Sequence, residues 1–175
     1  LATWETVLQR QPQTTVTFVE NHDLRDEGRP IVNDKLLAYS YILTHEGYPC
    51  VFWKDYFNYN LALEGTPNGI AALVGAHEQY AAGGTSTLFL SDDLYIMQRN
   101  GYGSAPGLIY ILNNRGDNWN GAWVNTQWQN TAFQPVAWWS KTDLNRPVNQ
   151  STGADGRGQF FAPPRGYVVY APIAR

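Results

Sequence analysis

The sequence predicts a chain of two parts, an α/β part over residues 1–84 and an all-β part, an antiparallel β-sandwich, over residues 85–175. Strand-like and helix-like segments alternate in the first part, which is typical of parallel strands joined by crossover helices. In the second part, short strand candidates follow one another without a helical period. Clusters of turn residues separate those candidates, as expected for antiparallel strands.

The first part has the order strand, helix, strand, helix. These segments are, in order, residues 16–19, 36–46, 49–53 and 68–82. Asn33 or Asp34 can cap the first helix, and Asn68 can cap the second. The strands are apolar on both faces, but two helices cover only one face of a two-stranded sheet. We therefore expect the first part to be a piece of a larger α/β layer.

The second part is predicted to contain seven or eight strands. The strand candidates are residues 88–90, 94–99, 108–113, 122–126, 136–139, 159–162 and 166–171. Asn, Gly and Asp form turns between them at residues 100–101, 113–121 and 153–158. A two-layer antiparallel sandwich is the architecture that buries such strands.

Composition excludes several classes of protein. The 175 residues are 43% hydrophobic and 15% charged, which is too apolar for intrinsic disorder. Lys and Arg number 12 against 15 acidic residues, so we expect no nucleic-acid partner. No apolar run approaches the length of a membrane-spanning helix, so we expect no membrane partner. Aromatic residues make up 14%, including 7 Trp, and such rings fill β-rich cores or bind sugars.

A group of polar residues follows the first strand directly. The strand at residues 16–19 continues through Glu20 into Asn21-His22-Asp23. In (β/α)-barrels the catalytic groups lie at the C-terminal ends of strands, and these three side chains supply a donor, an imidazole and a carboxylate. Asn and Asp are also common turn and capping residues, so a purely structural turn is the alternative.

Two motifs resemble those of the α-amylase family of glycoside hydrolases. Residues 18–23, Phe-Val-Glu-Asn-His-Asp, resemble the F-V-x-N-H-D motif of barrel strand seven, and residues 47–53 resemble the strand-eight motif. Residues 85–175 are similar to the C-terminal domain that follows the barrel. The resemblance implies that residues 1–84 are the C-terminal part of a catalytic (β/α)8 TIM barrel, with strands seven and eight and their helices.

The family's chemistry is retaining hydrolysis of internal α-1,4-glucosidic bonds of starch or glycogen. By resemblance, Asp23 is the catalytic carboxylate that stabilises the transition state, and His22 binds the same glucose. Asn21 would orient the pair, and Trp53 would stack on a sugar ring. The motifs of the nucleophile and of the acid/base residue are absent from this sequence. The chain alone is therefore expected to be inactive.

An alternative is a non-catalytic starch-binding module that uses surface tryptophans of the β-domain. The aromatic set for that function is Trp119, Trp123, Trp128, Trp138 and Trp139. Packing of these rings inside the sandwich is the more conservative interpretation. Trp119 lies in a turn and is predicted to be the most exposed of them.

The remaining expectations concern cofactors, partners and processing. Asp92-Asp93 are too few ligands for calcium, so we expect no metal in this chain. The family resemblance implies calcium elsewhere in the parent enzyme. The chain starts at Leu1 and shows no signal peptide, which suggests a cleaved or truncated product of a secreted enzyme. Expected partners are an α-glucan and either the missing N-terminal barrel portion or a second copy of the chain.

Overall fold

The computed structural model describes residues 7–143 and 145–173; Leu1, on which the expectation of truncation rests, lies outside them. The helices are α1 Val7–Arg10, α2 His22–Asp26, α3 Lys35–Thr44 and α4 Ile70–Tyr80, with a short π-helix at Lys54–Asn58. The strands are β1 Val16–Phe18, β2 Tyr48–Cys50, β3 Thr85–Leu90, β4 Leu94–Arg99, β5 Leu108–Asn113, β6 Asn120–Asn125, β7 Ala132–Ser140, β8 Gln150–Ser151, β9 Arg157–Ala162 and β10 Gly166–Pro172. Within the described ranges, no helix is long and apolar enough to cross a membrane.

Strands β1 and β2 pair in parallel, and α3 connects them. Val16 lies opposite Tyr48, and Phe18 lies opposite Cys50. The predicted strand–helix–strand order is therefore confirmed. The second strand ends at Cys50 instead of continuing to residue 53, and the chain turns into the π-helix that carries the fully buried Asp55.

One face of the β1–β2 pair is open to solvent. Val16, Phe18, Tyr48 and Cys50 share that face because side chains alternate along a strand, and all four are exposed. On the other side the chain packs against α3, with Val19 buried in the same apolar cluster as the helix. Only one face of these apolar strands is thus buried within the described residues.

The second part of the chain forms a six-stranded antiparallel sheet with the order β3-β4-β5-β10-β7-β8, and β6 and β9 form a separate pair. The predicted antiparallel architecture is confirmed, but the two layers are unequal. Strand β10 is buried along nearly its whole length. The β6–β9 pair covers one face of the large sheet, and α3 and α4 cover the other.

Two apolar clusters lie on opposite faces of the large sheet. The cluster under the helices includes Leu36, Tyr39, Leu73, Met97, Tyr110, Tyr167 and Val169. The cluster under the β6–β9 pair includes Ile96, Ile111, Val124, Phe133, Phe160, Val168 and Tyr170. Alternate residues of β10 enter alternate clusters, as the two-residue period of a strand requires.

Polar contacts also join the two parts. The buried Arg99 guanidinium donates to the carbonyl oxygens of Gly83 at 2.7 Å and Thr44 at 3.1 Å. The Arg165 guanidinium pairs with the Asp34 carboxylate at 2.9 Å. The domain boundary at residue 84 stays a prediction, and the contacts across it show that the helices and the sheet share one core.

Candidate functional site

Asn21 begins the loop that carries the predicted site residues. Its backbone is extended, with φ −141° and ψ 177°, and its side-chain oxygen accepts a hydrogen bond from the Leu24 amide at 3.0 Å. Asn21 is thus the N-cap of α2. The cap places His22 and Asp23 in the first turn of that helix, just beyond the C-terminal end of β1.

The structure brings His22 and Asp23 together. Their Nε2 and Oδ1 atoms are 3.3 Å apart, and their side chains are 75% and 73% exposed. The hydrogen bonds found among the described residues leave the Asp23 carboxylate free of backbone amides. The pair is therefore available to a ligand, as its position after the strand predicts. The role of each residue stays a prediction.

Trp53 lies after the neighbouring strand β2, at the start of the π-helix. It is 68% exposed, and its ring packs against Phe57 with centroids 4.1 Å apart. Because β1 and β2 are parallel, their C-terminal ends lie at one edge of the pair. Trp53 and the His22–Asp23 pair thus follow adjacent strands, but the ring contact of Trp53 is with Phe57.

Glu20, to which the sequence analysis assigned no role, lies in a buried ionic network. Its carboxylate accepts hydrogen bonds from Lys35 Nζ at 2.7 Å, from the Ile31 amide at 2.8 Å and from the Arg25 guanidinium at 3.1 Å. Burial alone would raise the pKa of Glu20, but these donors together hold the pKa below its usual value.

Lys35 connects this carboxylate to Asp55, which follows β2. Its ammonium contacts both carboxylates, and the Tyr39 hydroxyl donates to the second oxygen of Asp55 at 2.7 Å. Burial, together with that hydrogen bond, raises the pKa of Tyr39. The network therefore ties the loop after β1 to the loop after β2. The sequence signal for this network is the carboxylate of Glu20, which lies between an apolar strand and a polar loop.

A cavity of about 560 Å³ lies beside this network. Arg25, Lys35, Tyr59, Leu61 and Trp139 are among its lining residues. The Arg25 guanidinium lies 4.3 Å from the centroid of the Tyr59 ring and closes one side. Asn21, His22, Asp23 and Trp53 do not line this cavity, whereas Trp139, from the aromatic set of the alternative function, does.

Metal-binding side chains do not converge in the part of the chain that the structure describes. No group of three or more His, Cys, Asp or Glu residues is placed to hold an ion there. Asp92 and Asp93 are exposed neighbours in a turn. The calcium expected in the parent enzyme stays a prediction.

The exposure of the tryptophans differs from the prediction. Trp119 is 37% exposed, because its indole donates to the Asp143 carboxylate at 2.6 Å and folds onto the turn. Trp123, in the middle of β6, is 56% exposed and is the more accessible ring. Trp128 and Trp138 pack against the apolar cluster under the β6–β9 pair, as the conservative interpretation predicted.

Comparison with known proteins defines the class of this fold. Residues 108–171 match the family model described as alpha-amylase C-terminal. This range comprises β5 to β10 except for Pro172, the last residue of β10. The chain superposes on the structure of an α-amylase from Malbranchea cinnamomea with a TM-score of 0.64 and 16% identity, covering 92% of this chain and 37% of that one. Residues 108–171 are therefore similar to the C-terminal domain of α-amylases, and the superposition shows that the fold is shared.

Sequence relatives extend this relationship beyond the β-domain. The chain is 33% identical over 165 residues to glucan 1,4-alpha-maltohexaosidase of Bacillus sp. (strain 707), covering 89% of this chain and 30% of the relative. It is 31% identical over 168 residues to the α-amylase of Geobacillus stearothermophilus, covering 89% and 29%. The chain is thus homologous to α-amylases and matches the model of their C-terminal domain over residues 108–171, which confirms the resemblance. It spans less than a third of the length of these two relatives.

Proposed function

We propose that this chain is the C-terminal part of a retaining α-amylase that hydrolyses internal α-1,4-glucosidic bonds of starch or glycogen. The observation that carries the proposal is the exposed His22–Asp23 pair at the C-terminal end of β1. An α-glucan is the substrate, and the enzyme is secreted. Homology to amylases supports the class of reaction.

In the proposed mechanism, Asp23 acts on charge that develops during bond cleavage. Its carboxylate stabilises the positive, oxocarbenium-like sugar more strongly than the neutral substrate, which lowers the barrier. His22 donates a hydrogen bond to a hydroxyl of the same sugar. The nucleophile and the acid/base carboxyl belong to the parent enzyme outside this sequence, as does any calcium, and the chain alone releases no sugar.

The β1–α3–β2 unit supplies strands seven and eight of a (β/α)8 barrel in this proposal, with residues 1–84 in the barrel and residues 85–175 in the C-terminal domain. The exposed apolar face of the β1–β2 pair supports it, because Val16, Phe18 and Tyr48 require a cover. The N-terminal barrel portion is the proposed cover. In its absence, a second copy of the chain would bind there.

The test is the variant Asp23→Asn in the complete enzyme. We expect kcat to fall by about 10²–10³-fold with little change in KM, because the lost interaction forms mainly in the transition state. Glu27→Gln, which removes an exposed carboxylate from the same loop, is the matched control and should leave kcat unchanged. An unaltered kcat in Asp23→Asn, or a rise in KM alone, would refute the role of Asp23.

A starch-binding module is the second candidate function. The exposed Trp123 ring on the β-domain favours it, and such binding would require none of the catalytic carboxylates. Both functions can coexist in one enzyme, since the ring and the His22–Asp23 pair belong to different parts of the chain.

A further inference from the structure

We propose that the outer face of the β6–β9 pair is a binding platform for an α-glucan chain. Trp123 is the stacking ring, and Asn125, Arg157 and Gln159 are the hydrogen-bonding groups around it. The choice of an α-glucan rests on the proposed function, whereas the site itself rests on the geometry of this strand pair.

The register of the strand pair places these four side chains on one face. Trp123 lies opposite Gln159, and Asn125 lies opposite Arg157. Val124, between Trp123 and Asn125, is buried in the apolar cluster under the pair. Because side chains alternate along a strand, Trp123 and Asn125 therefore face outward. The ring is an accessible part of a regular sheet surface, held by a rigid backbone.

The polar side chains beside the ring form no hydrogen bond with other described residues. These include the side-chain amides of Asn125 and Gln159. The Arg157 guanidinium lies 5.1 Å from the centroid of the Trp123 ring, and Trp123 is still 56% exposed. Each amide offers donors and an acceptor, and the guanidinium offers donors alone.

This combination matches the chemistry of a sugar ring. The C–H face of a pyranose packs on an aromatic face, while its hydroxyls at the edge require donors and acceptors nearby. Arg157 is the only charged group of the platform, so an uncharged polyhydroxylated ligand fits better than a polyanion. An α-glucan has these properties and is the substrate class of the proposed function.

A second ring extends the platform along the strands. Phe161, on the same outward face, lies directly over Gly121, where an added Cβ would come within 2.4 Å of the Phe161 ring. The absence of a side chain at Gly121 lets the ring lie there. Trp123 and Phe161 are diagonal neighbours across the pair, about 7–8 Å apart at their Cα atoms. Two successive sugars of one chain can thus contact aromatic surface.

The test is affinity electrophoresis of this chain in native gels with and without soluble starch. We expect starch to retard the unaltered chain and the variant Trp123→Ala to bind at least about tenfold more weakly, because an aromatic anchor dominates such a contact. Trp119→Ala is the matched control, since it removes a ring of the neighbouring turn that is bonded to Asp143. Mobility without starch reports whether each variant is folded.

Two further measurements test the polar part of the platform. Gln159→Leu should weaken the retardation, and the matched variant Gln79→Leu, at an exposed position on α4, should leave it unchanged. Retardation should not depend on salt, because the ligand is uncharged. Equal retardation of Trp123→Ala and the unaltered chain, or no retardation of the unaltered chain, would overturn the platform. Neither result would affect the kcat test of Asp23.

Discussion

Lowering the pH from 7 to 5 is expected to destabilise this chain through His45, a buried residue just after α3. Its Nδ1–H donates to the Tyr41 carbonyl at 2.8 Å, so Nε2 carries no proton and accepts from the Tyr95 hydroxyl at 2.9 Å. The ring also stacks on Tyr41 with centroids 3.8 Å apart. The neutral imidazole is therefore satisfied at both nitrogens, and a second proton would place a charge in this buried site and require the Tyr95 hydroxyl to accept instead of donate.

Burial lowers the pKa of His45 from 6.5 to about 4. The Tyr41 carbonyl and the Glu46 carboxylate oppose this shift, and the Arg99 guanidinium adds to it. Since the unfolded chain takes up the proton first, the contribution of His45 to stability is complete above pH 6.5 and is lost as the pH falls towards 4. The loss in the free energy of unfolding is about 2 kcal/mol between about pH 7 and 5, and about 3 kcal/mol by about pH 4.

Urea unfolding at several pH values between 7 and 5 measures this loss. His45→Gln keeps an N–H donor for the Tyr41 carbonyl but does not titrate. Between about pH 7 and 5, its free energy of unfolding should therefore fall by about 2 kcal/mol less than that of the unaltered chain. His77→Gln, on α4, is the control and should retain the full pH dependence. The same pH dependence in His45→Gln as in the unaltered chain would refute the reasoning.

Three other outcomes follow from the packing. Lys35→Met leaves the buried carboxylates of Glu20 and Asp55 without their shared cation and should destabilise the chain by about 3–5 kcal/mol in urea unfolding; a loss below about 1 kcal/mol would contradict the network. Phe160→Ala should lower the free energy of unfolding by about 3–5 kcal/mol, because the ring is fully buried. Trp123→Ala should lower it by under about 1 kcal/mol, and similar losses for the two variants would show that Trp123 is a packing residue. In sedimentation at micromolar concentration, the chain should self-associate through its exposed β1–β2 face, and a 19.7 kDa monomer that unfolds cooperatively would refute this.

Local patterns were sufficient to predict most elements and the position of the candidate site. A strand followed at once by Asn21, His22 and Asp23 predicts polar groups at a strand end, because a cap and its helix involve only neighbouring residues. The β-branched runs predict strands in the same way. The predicted end of β2 was wrong by three residues. The chain turns inward there because Asp55 contacts Lys35 and Tyr39, which are distant in sequence.

The sequence by itself determined the parallel β1–β2 unit, the antiparallel second part and the polar loop after β1, because these depend on short-range periodicity and turn chemistry. Only the tertiary structure decided which charged groups pair and which rings are exposed. Glu20, Lys35 and Asp55 meet because two separate loops converge. Trp123 is exposed because the register of β6 against β9 turns it outward, and long-range contacts of that kind leave no periodic signal in the chain.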